Sequence, residues 1–94
     1  MVKRTFALNQ SYPNPAKGHA AISFALPETR DVTLEVFDMK GRIVRNLFEG
    51  SLEAGEHEVS WDIRDNSGNA VSTGVYVYRL TAGNDTAVEK MLVK

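Results

Sequence analysis

Ninety-four residues bound the chain to one small domain, and 43% hydrophobic residues suffice for a buried core. Eleven Lys and Arg against 12 Asp and Glu leave a net charge of −1 without a basic patch or an acidic tail, which argues against nucleic acid or a polybasic membrane surface as partner. The lack of cysteine removes a disulfide framework, a thiol nucleophile and thiolate metal ligands, and no apolar stretch nears the roughly 20 residues of a membrane span.

Along the chain, apolar residues recur at alternate positions, broken by turn signals about every eight to twelve residues, the pattern of an all-β sandwich. The basic start, residues 1–10, has no apolar h-region and does not read as a signal peptide; if the domain is exported, an upstream part of a longer protein carries that signal. Residues 6–8 predict a short first strand. Pro13, Pro15 and Gly18 then enforce an irregular loop over residues 11–18. Ile22, Phe24 and Leu26 share one face of the next strand, which stops at Pro27. Val32, Leu34 and Val36 repeat the scheme. Residues 39–42 (MKGR) read as a turn and residues 43–48 as its return strand, making residues 32–48 a hairpin.

Residues 49–56 (EGSLEAGE) read as a second loop or an edge bulge. His57, Val59 and Trp61 fall on one face of the following strand, Glu58 and Ser60 on the other. Residues 63–74 form a long, turn-rich connection. Residues 75–82 (VYVYRLTA) are the most apolar strand, residues 83–85 a tight turn, and residues 86–94 the last strand, with Met91 and Val93 on one face and Lys90, Leu92 and Lys94 on the other. The result is an all-β fold, a seven-stranded antiparallel β-sandwich with immunoglobulin-like or fibronectin-like connections. The pattern does not fix the strand order.

Residues for chemistry are sparse. There is no GxSxG elbow; His19 lies in a loop and His57 opens a strand, so no nucleophile–base–orienter set forms. Glu53, Glu56 and Glu58 read as a solvated edge. Asp62, Asp65, Asn66 and Asn69 superficially resemble a calcium loop, but Arg64 occupies the third position, where such a loop needs an oxygen ligand, and Thr73 the twelfth, where it needs an acidic residue. A plain turn around Asn66-Ser67-Gly68 explains the same residues. Trp61 with Tyr12, Tyr76 and Tyr78 could stack sugars, although Trp61 shares its face with Val59. One of the tyrosines could instead anchor its hydroxyl on the backbone as a tyrosine corner. Asn9-Gln10-Ser11 and Asn84-Asp85-Thr86 fit the N-glycosylation sequon and are assigned no role.

Six stretches in order carry a family resemblance: residues 8–18 (LNQSYPNPAKG), 22–27 (ISFALP), 32–47 (VTLEVFDMKGRIVRNL), 53–62 (EAGEHEVSWD), 67–80 (SGNAVSTGVYVYRL) and 90–94 (KMLVK). Together they resemble the type A C-terminal sorting domain of the type IX (Por) secretion system. The resemblance implies a single C-terminal sorting domain over residues 1–94, folded from about residue 6 to residue 94. It implies a non-catalytic signal that takes an N-terminal cargo domain of a Bacteroidetes protein from the periplasm to the cell surface or outside. Its partners would be the outer-membrane translocon and the sortase machinery, with no cofactor, metal, nucleic acid or membrane insertion. Carried over, translocon recognition would fall on Gly74, Tyr76, Lys90, Met91, Leu92, Val93 and Lys94, and a structural motif on Pro13, Asn14, Pro15 and Gly18. Ala16 departs from the aromatic residue that often follows the second proline. The sortase cut would lie before Met1 or within the first few residues.

The terminal strand could close a sheet and also offer an edge to which a receptor adds by β-augmentation. Two alternatives stand beside the sorting signal. One is a structural immunoglobulin-like module of the flagellar hook-capping type, whose tryptophan and glycine–tyrosine stretches look alike. The other is a carbohydrate-binding module built on the aromatic residues.

Overall fold

Seven strands form among the described residues: β1 (Ala7–Leu8), β2 (Ala20–Leu26), β3 (Arg30–Phe37), β4 (Ile43–Leu52), β5 (Gly55–Trp61), β6 (Gly74–Ala82) and β7 (Asp85–Val93). This computed structural model describes residues 5–94; residues 1–4, and with them the basic start and part of the expected cut region, lie outside the described residues. All pairings between strands are antiparallel, giving a three-stranded sheet in the order β1-β2-β5 and a four-stranded sheet in the order β4-β3-β6-β7. The expected β-sandwich of immunoglobulin-like type is the observed fold.

Period-two patterning builds the two inner faces. Ile22, Phe24 and Leu26 of β2 are buried with Trp61 of β5, facing Val32, Leu34 and Val36 of β3, Tyr76, Tyr78 and Leu80 of β6, and Met91 and Val93 of β7. Removing large apolar side chains from water at about 1.5–3 kcal/mol each is what sets the faces, because a one-residue slip would turn each strand inside out. His57, Val59 and Trp61 share the inward side of β5 as expected, with Glu56, Glu58 and Ser60 exposed.

The β3–β4 turn is held by its own aspartate. Asp38 accepts backbone bonds from Lys40 N (2.9 Å) and Arg42 N (3.0 Å) and a side-chain bond from Arg42 Nε (2.9 Å). Gly41 supplies the positive φ of 83° that this reversal needs. The backbone N–H of Arg42 is the largest of the influences that hold the Asp38 carboxyl below the ordinary value.

The expected loop over residues 49–56 is a correction. β4 continues to Leu52, pairing Phe48, Glu49, Gly50, Ser51 and Leu52 with Leu34, Thr33, Val32, Asp31 and Arg30, and only two residues separate it from β5. Two register shifts hide this strand from a period-two reading. Between Val36↔Arg45 and Phe37↔Ile43, and again between Leu34↔Phe48 and Glu35↔Asn46, β4 carries one extra residue, Val44 and Leu47 in turn. Each bulge flips the alternation, so apolar residues appear out of phase. The edge irregularity exists, but it lies inside β4 rather than after it.

Candidate interaction surface

The loop between β1 and β2 lies along the end of β7. Its two X-Pro bonds, Tyr12–Pro13 and Asn14–Pro15, are cis. Ala16 forms a parallel bridge with Val93: Ala16 N donates to Leu92 O at 2.7 Å and Lys94 N donates to Ala16 O at 2.8 Å. Asn14 Oδ1 accepts from Leu92 N at 3.0 Å, and Gln10 Nε2 donates to Lys90 O at 2.7 Å. Lys90 O, Leu92 N and O, and Lys94 N, all outward backbone groups, are therefore taken by the chain itself. Augmentation at the terminal residues, expected from the sequence, is corrected by these bonds: that part of the edge is not free.

The motif residues are brought together at one end of the sandwich, with roles the fold itself explains. Ala16 packs with its side chain fully buried, so an aromatic residue there would find no room. Met91 and Val93 are core residues, while Lys90, Leu92 and Lys94 face solvent. Gly74 has φ of 154°, a backbone conformation that side chains rarely adopt, though a Cβ there would meet no atom within 4 Å. Tyr76 donates its hydroxyl to Ser72 O at 2.6 Å, four residues upstream, the tyrosine-corner arrangement. Tyr78 donates to Asn9 O at 2.8 Å and so pins the start of the β1–β2 loop. Burial pushes both phenols above their ordinary value.

The alternative sites dissolve into structure. Trp61 and Tyr78 are fully buried and Tyr76 nearly so; Trp61 meets Tyr76 edge-on at 5.9 Å and donates Nε1 to Arg64 O at 2.9 Å. Only Tyr12 of the four aromatics is exposed, so these four form no stacking platform, and the carbohydrate reading built on them is corrected. Within the acidic loop, Asp65 Oδ1 accepts from Ser67 N (2.9 Å) and Asn69 N (3.0 Å). Asp62 Oδ1 pairs with Arg45 Nη1 at 2.9 Å, and Asn66 Oδ1 accepts from Asn46 N at 3.0 Å. These oxygens build the turn and fasten it to β4, the bland role weighed against calcium. The same loop holds Ile63 at a φ of 59°, a strained value for a β-branched residue, with its side chain buried. His57 Nε2 lies 2.7 Å from Glu53 O and its ring sits 5.7 Å from that of Phe24, bracing the β4–β5 turn. His19, Glu53, Glu56 and Glu58 are exposed.

One surface feature escaped the sequence reading. The outer face of the four-stranded sheet carries a cavity of about 340 Å³ lined by Phe37, Met39, Val77, Val88 and Arg79, overhung by the β3–β4 turn. The Arg79 guanidinium lies 4.8 Å above the Phe37 ring, gives Nη2 to Glu35 Oε1 at 2.9 Å, and leaves Nε without an acceptor. The available signal was β6 itself: Val75 and Val77 alternate with Tyr76 and Tyr78, so both its faces are apolar although one is open.

Fold and packing define an immunoglobulin-like sandwich whose aromatic residues and turns serve its own construction. The sequence model of the FlgD Ig-like domain matches residues 9–86, and the chain belongs to that family. The basal-body rod modification protein FlgD of Salmonella typhimurium is 42% identical over 53 residues, 56% of this chain and 23% of the relative, so the match spans less than a quarter of that protein's length. FlgD from Xanthomonas campestris, described as a hook-capping protein essential for flagellar assembly, superposes with a TM-score of 0.65 at 25% identity, covering 96% of this chain and 66% of that one. Two Porphyromonas gingivalis proteins share the fold. Latent dimeric PorU has a TM-score of 0.77 at 20% identity over 99% of this chain and 10% of its own. PorZ, a surface component of the type IX secretion system, has a TM-score of 0.64 at 24% identity over 90% and 11%.

These matches correct the functional expectation. The type IX sorting signal, its translocon, sortase and cargo partners, and its periplasm-to-surface route give way to the FlgD family, which carries both the sequence match and the curated relatives. The likeness to PorU and PorZ is one of fold. The physical reason for the misreading is that the quoted stretches are structural punctuation of the sandwich. In this chain a buried tryptophan, a glycine before a tyrosine corner, a proline loop and an apolar closing strand all serve packing, so they do not by themselves mark a signal.

Proposed function

We propose that the chain is a non-catalytic, structural immunoglobulin-like module of the hook-capping type, acting as part of a longer protein in flagellar assembly. The family match over residues 9–86 carries this reading. The side chains best suited to catalysis support it, since His57 braces a turn and Asp62 and Asp65 hold a loop. On the same reading residues 1–94 work as one module, with the folded part from about residue 6 onward. The test is a chimera in which this chain replaces the Ig-like segment of Salmonella typhimurium FlgD in a strain lacking FlgD. Hooks counted by electron microscopy and swimming in soft agar should return. A chimera that is folded by circular dichroism and exported, yet yields no hooks, overturns the proposal.

A further inference from the structure

Sheet edges are where one chain can add to another, and folds of this kind obstruct them. β4 is bulged twice, and Asn66 caps it, with Asn66 N on Val44 O at 2.9 Å and Asn66 Oδ1 on Asn46 N at 3.0 Å. β5 sets exposed Glu56 and Glu58 beside its edge, and β1 is two residues long. β7 is covered over residues 90–94 by the β1–β2 loop. Among the described residues, residues 85–89 of β7 carry no bulge and no chain segment bonds the outward backbone of Thr86 and Val88; the charged Asp85 and Glu89 alternate onto the inner side with Met91, and Asp85 is held by Arg30. Antiparallel alternation turns the backbone groups of Thr86 and Val88 the same way as those of Lys90 and Leu92, away from β6. The outward side chains there are Thr86 and Val88, both uncharged, and Val88 is 52% exposed.

Val88 also forms one wall of the apolar cavity with Phe37, Met39 and Val77. Charge beside this cavity is in positive surplus. Asp38 is engaged by Arg42 and the turn backbone, and Glu35 by Arg79, whereas Lys90, next to Val77 in register, makes no ion pair among the described residues. An open edge, an adjoining apolar cavity and an unmatched cation together describe a receptor for an extended strand, in which main-chain bonds give affinity and alternate side chains give selectivity. We infer that residues 85–89 of β7 receive an extended segment of a partner polypeptide, with a large apolar side chain facing the cavity and a carboxylate two residues away that pairs with Lys90. The inference stands apart from the hook-capping reading, since it uses only the geometry of β7 and the cavity.

The probe is the capped peptide acetyl-Glu-Thr-Phe-Thr-Val-Thr-amide, titrated into the 15N-labelled chain. Saturable shifts should centre on Thr86, Val88 and Arg79, with slowed amide exchange at Thr86 and Val88. Val88→Lys, at an exposed position that tolerates polar side chains, should weaken binding about ten-fold or more. Lys90→Glu should weaken it about two- to five-fold, and exchanging the peptide's Glu for Lys should restore it. Three outcomes each overturn the inference: no saturation up to about 5 mM peptide, shifts centred on β4 or β5, or unchanged affinity in Val88→Lys. Concentration-dependent shifts at Thr86 and Val88 without peptide would give the edge to a second copy and overturn it likewise.

Discussion

Replacing Tyr78 by Phe removes one oxygen and leaves the ring in place. The Tyr78 side chain is fully buried, and its hydroxyl reaches Asn9 O at 2.8 Å, across 69 residues of sequence. A net hydrogen bond contributes about 0.5–1.5 kcal/mol, and the upper end applies where water cannot take the lost partner's place. About 1.5 kcal/mol is therefore expected, or roughly a ten-fold fall in the folding constant. In urea unfolding followed by Trp61 fluorescence, the midpoint should fall by about 0.5–1.5 M at unchanged slope. Tyr76→Phe is the matched control, because its 2.6 Å bond to Ser72 O spans only four residues. Both variants should lose similar stability, but only Tyr78→Phe should loosen the β1–β2 loop on β7. Exchange at the Leu92 and Lys94 amides, which donate to Asn14 Oδ1 and Ala16 O, should quicken up to about ten-fold in that variant alone. Equal exchange in the two variants would refute the reasoning that Tyr78 anchors the loop.

Asp38 predicts an acid-side dependence. Its carboxyl is held below the unfolded value of about 3.9, so its stabilisation is complete above about pH 4 and is lost as pH falls through the lowered folded value. Asp38→Asn should accordingly be less stable than the parent near pH 7, and the difference should close as pH falls through the lowered folded value in urea titrations. Trp61→Phe loses the bond to Arg64 O and leaves a void, about 2 kcal/mol, and should lower the melting temperature by about 10 °C. Asp65→Ala frees two backbone N–H groups and should cost about 1–2 kcal/mol by the same melt, while added calcium chloride should leave the parent's melting temperature unchanged.

Strand pattern was legible wherever both burial and alternation were regular. Ile22, Phe24 and Leu26, then Val32, Leu34 and Val36, and Tyr76, Tyr78 and Leu80 read as inner faces because each is followed two residues on by another buried side chain. β4 was not, because Val44 and Leu47 sit in bulges that reverse the phase. The cover on β7 was not legible either. Gln10 and Asn14 meet Lys90 and Leu92 across 80 and 78 positions, and no local preference encodes such a meeting. Function was harder still. The residues that looked like an address, Gly74, Tyr76, Met91 and Val93, are ones this sandwich uses for its own packing and turns, so their pattern does not separate a signal from a core. The cavity wall of Phe37, Val77 and Val88 gathers three strands, and its members are unremarkable singly.

The stitch between residues 9–18 and the end of β7 also orders events during synthesis. Of the domain's strands β7 is made last, so the early loop waits for residues about 80 positions behind it before its backbone bonds can form. A chain stopped after Lys90 lacks Met91 and Val93 in the core, leaves Tyr76 and Gly74 without strand partners, and bares one end of β6. Closing the stitch thus marks a complete domain: its native edge forms only once residues 91–94 are in place, and a copy cut short before them exposes the kind of surface that chaperones and proteases act on.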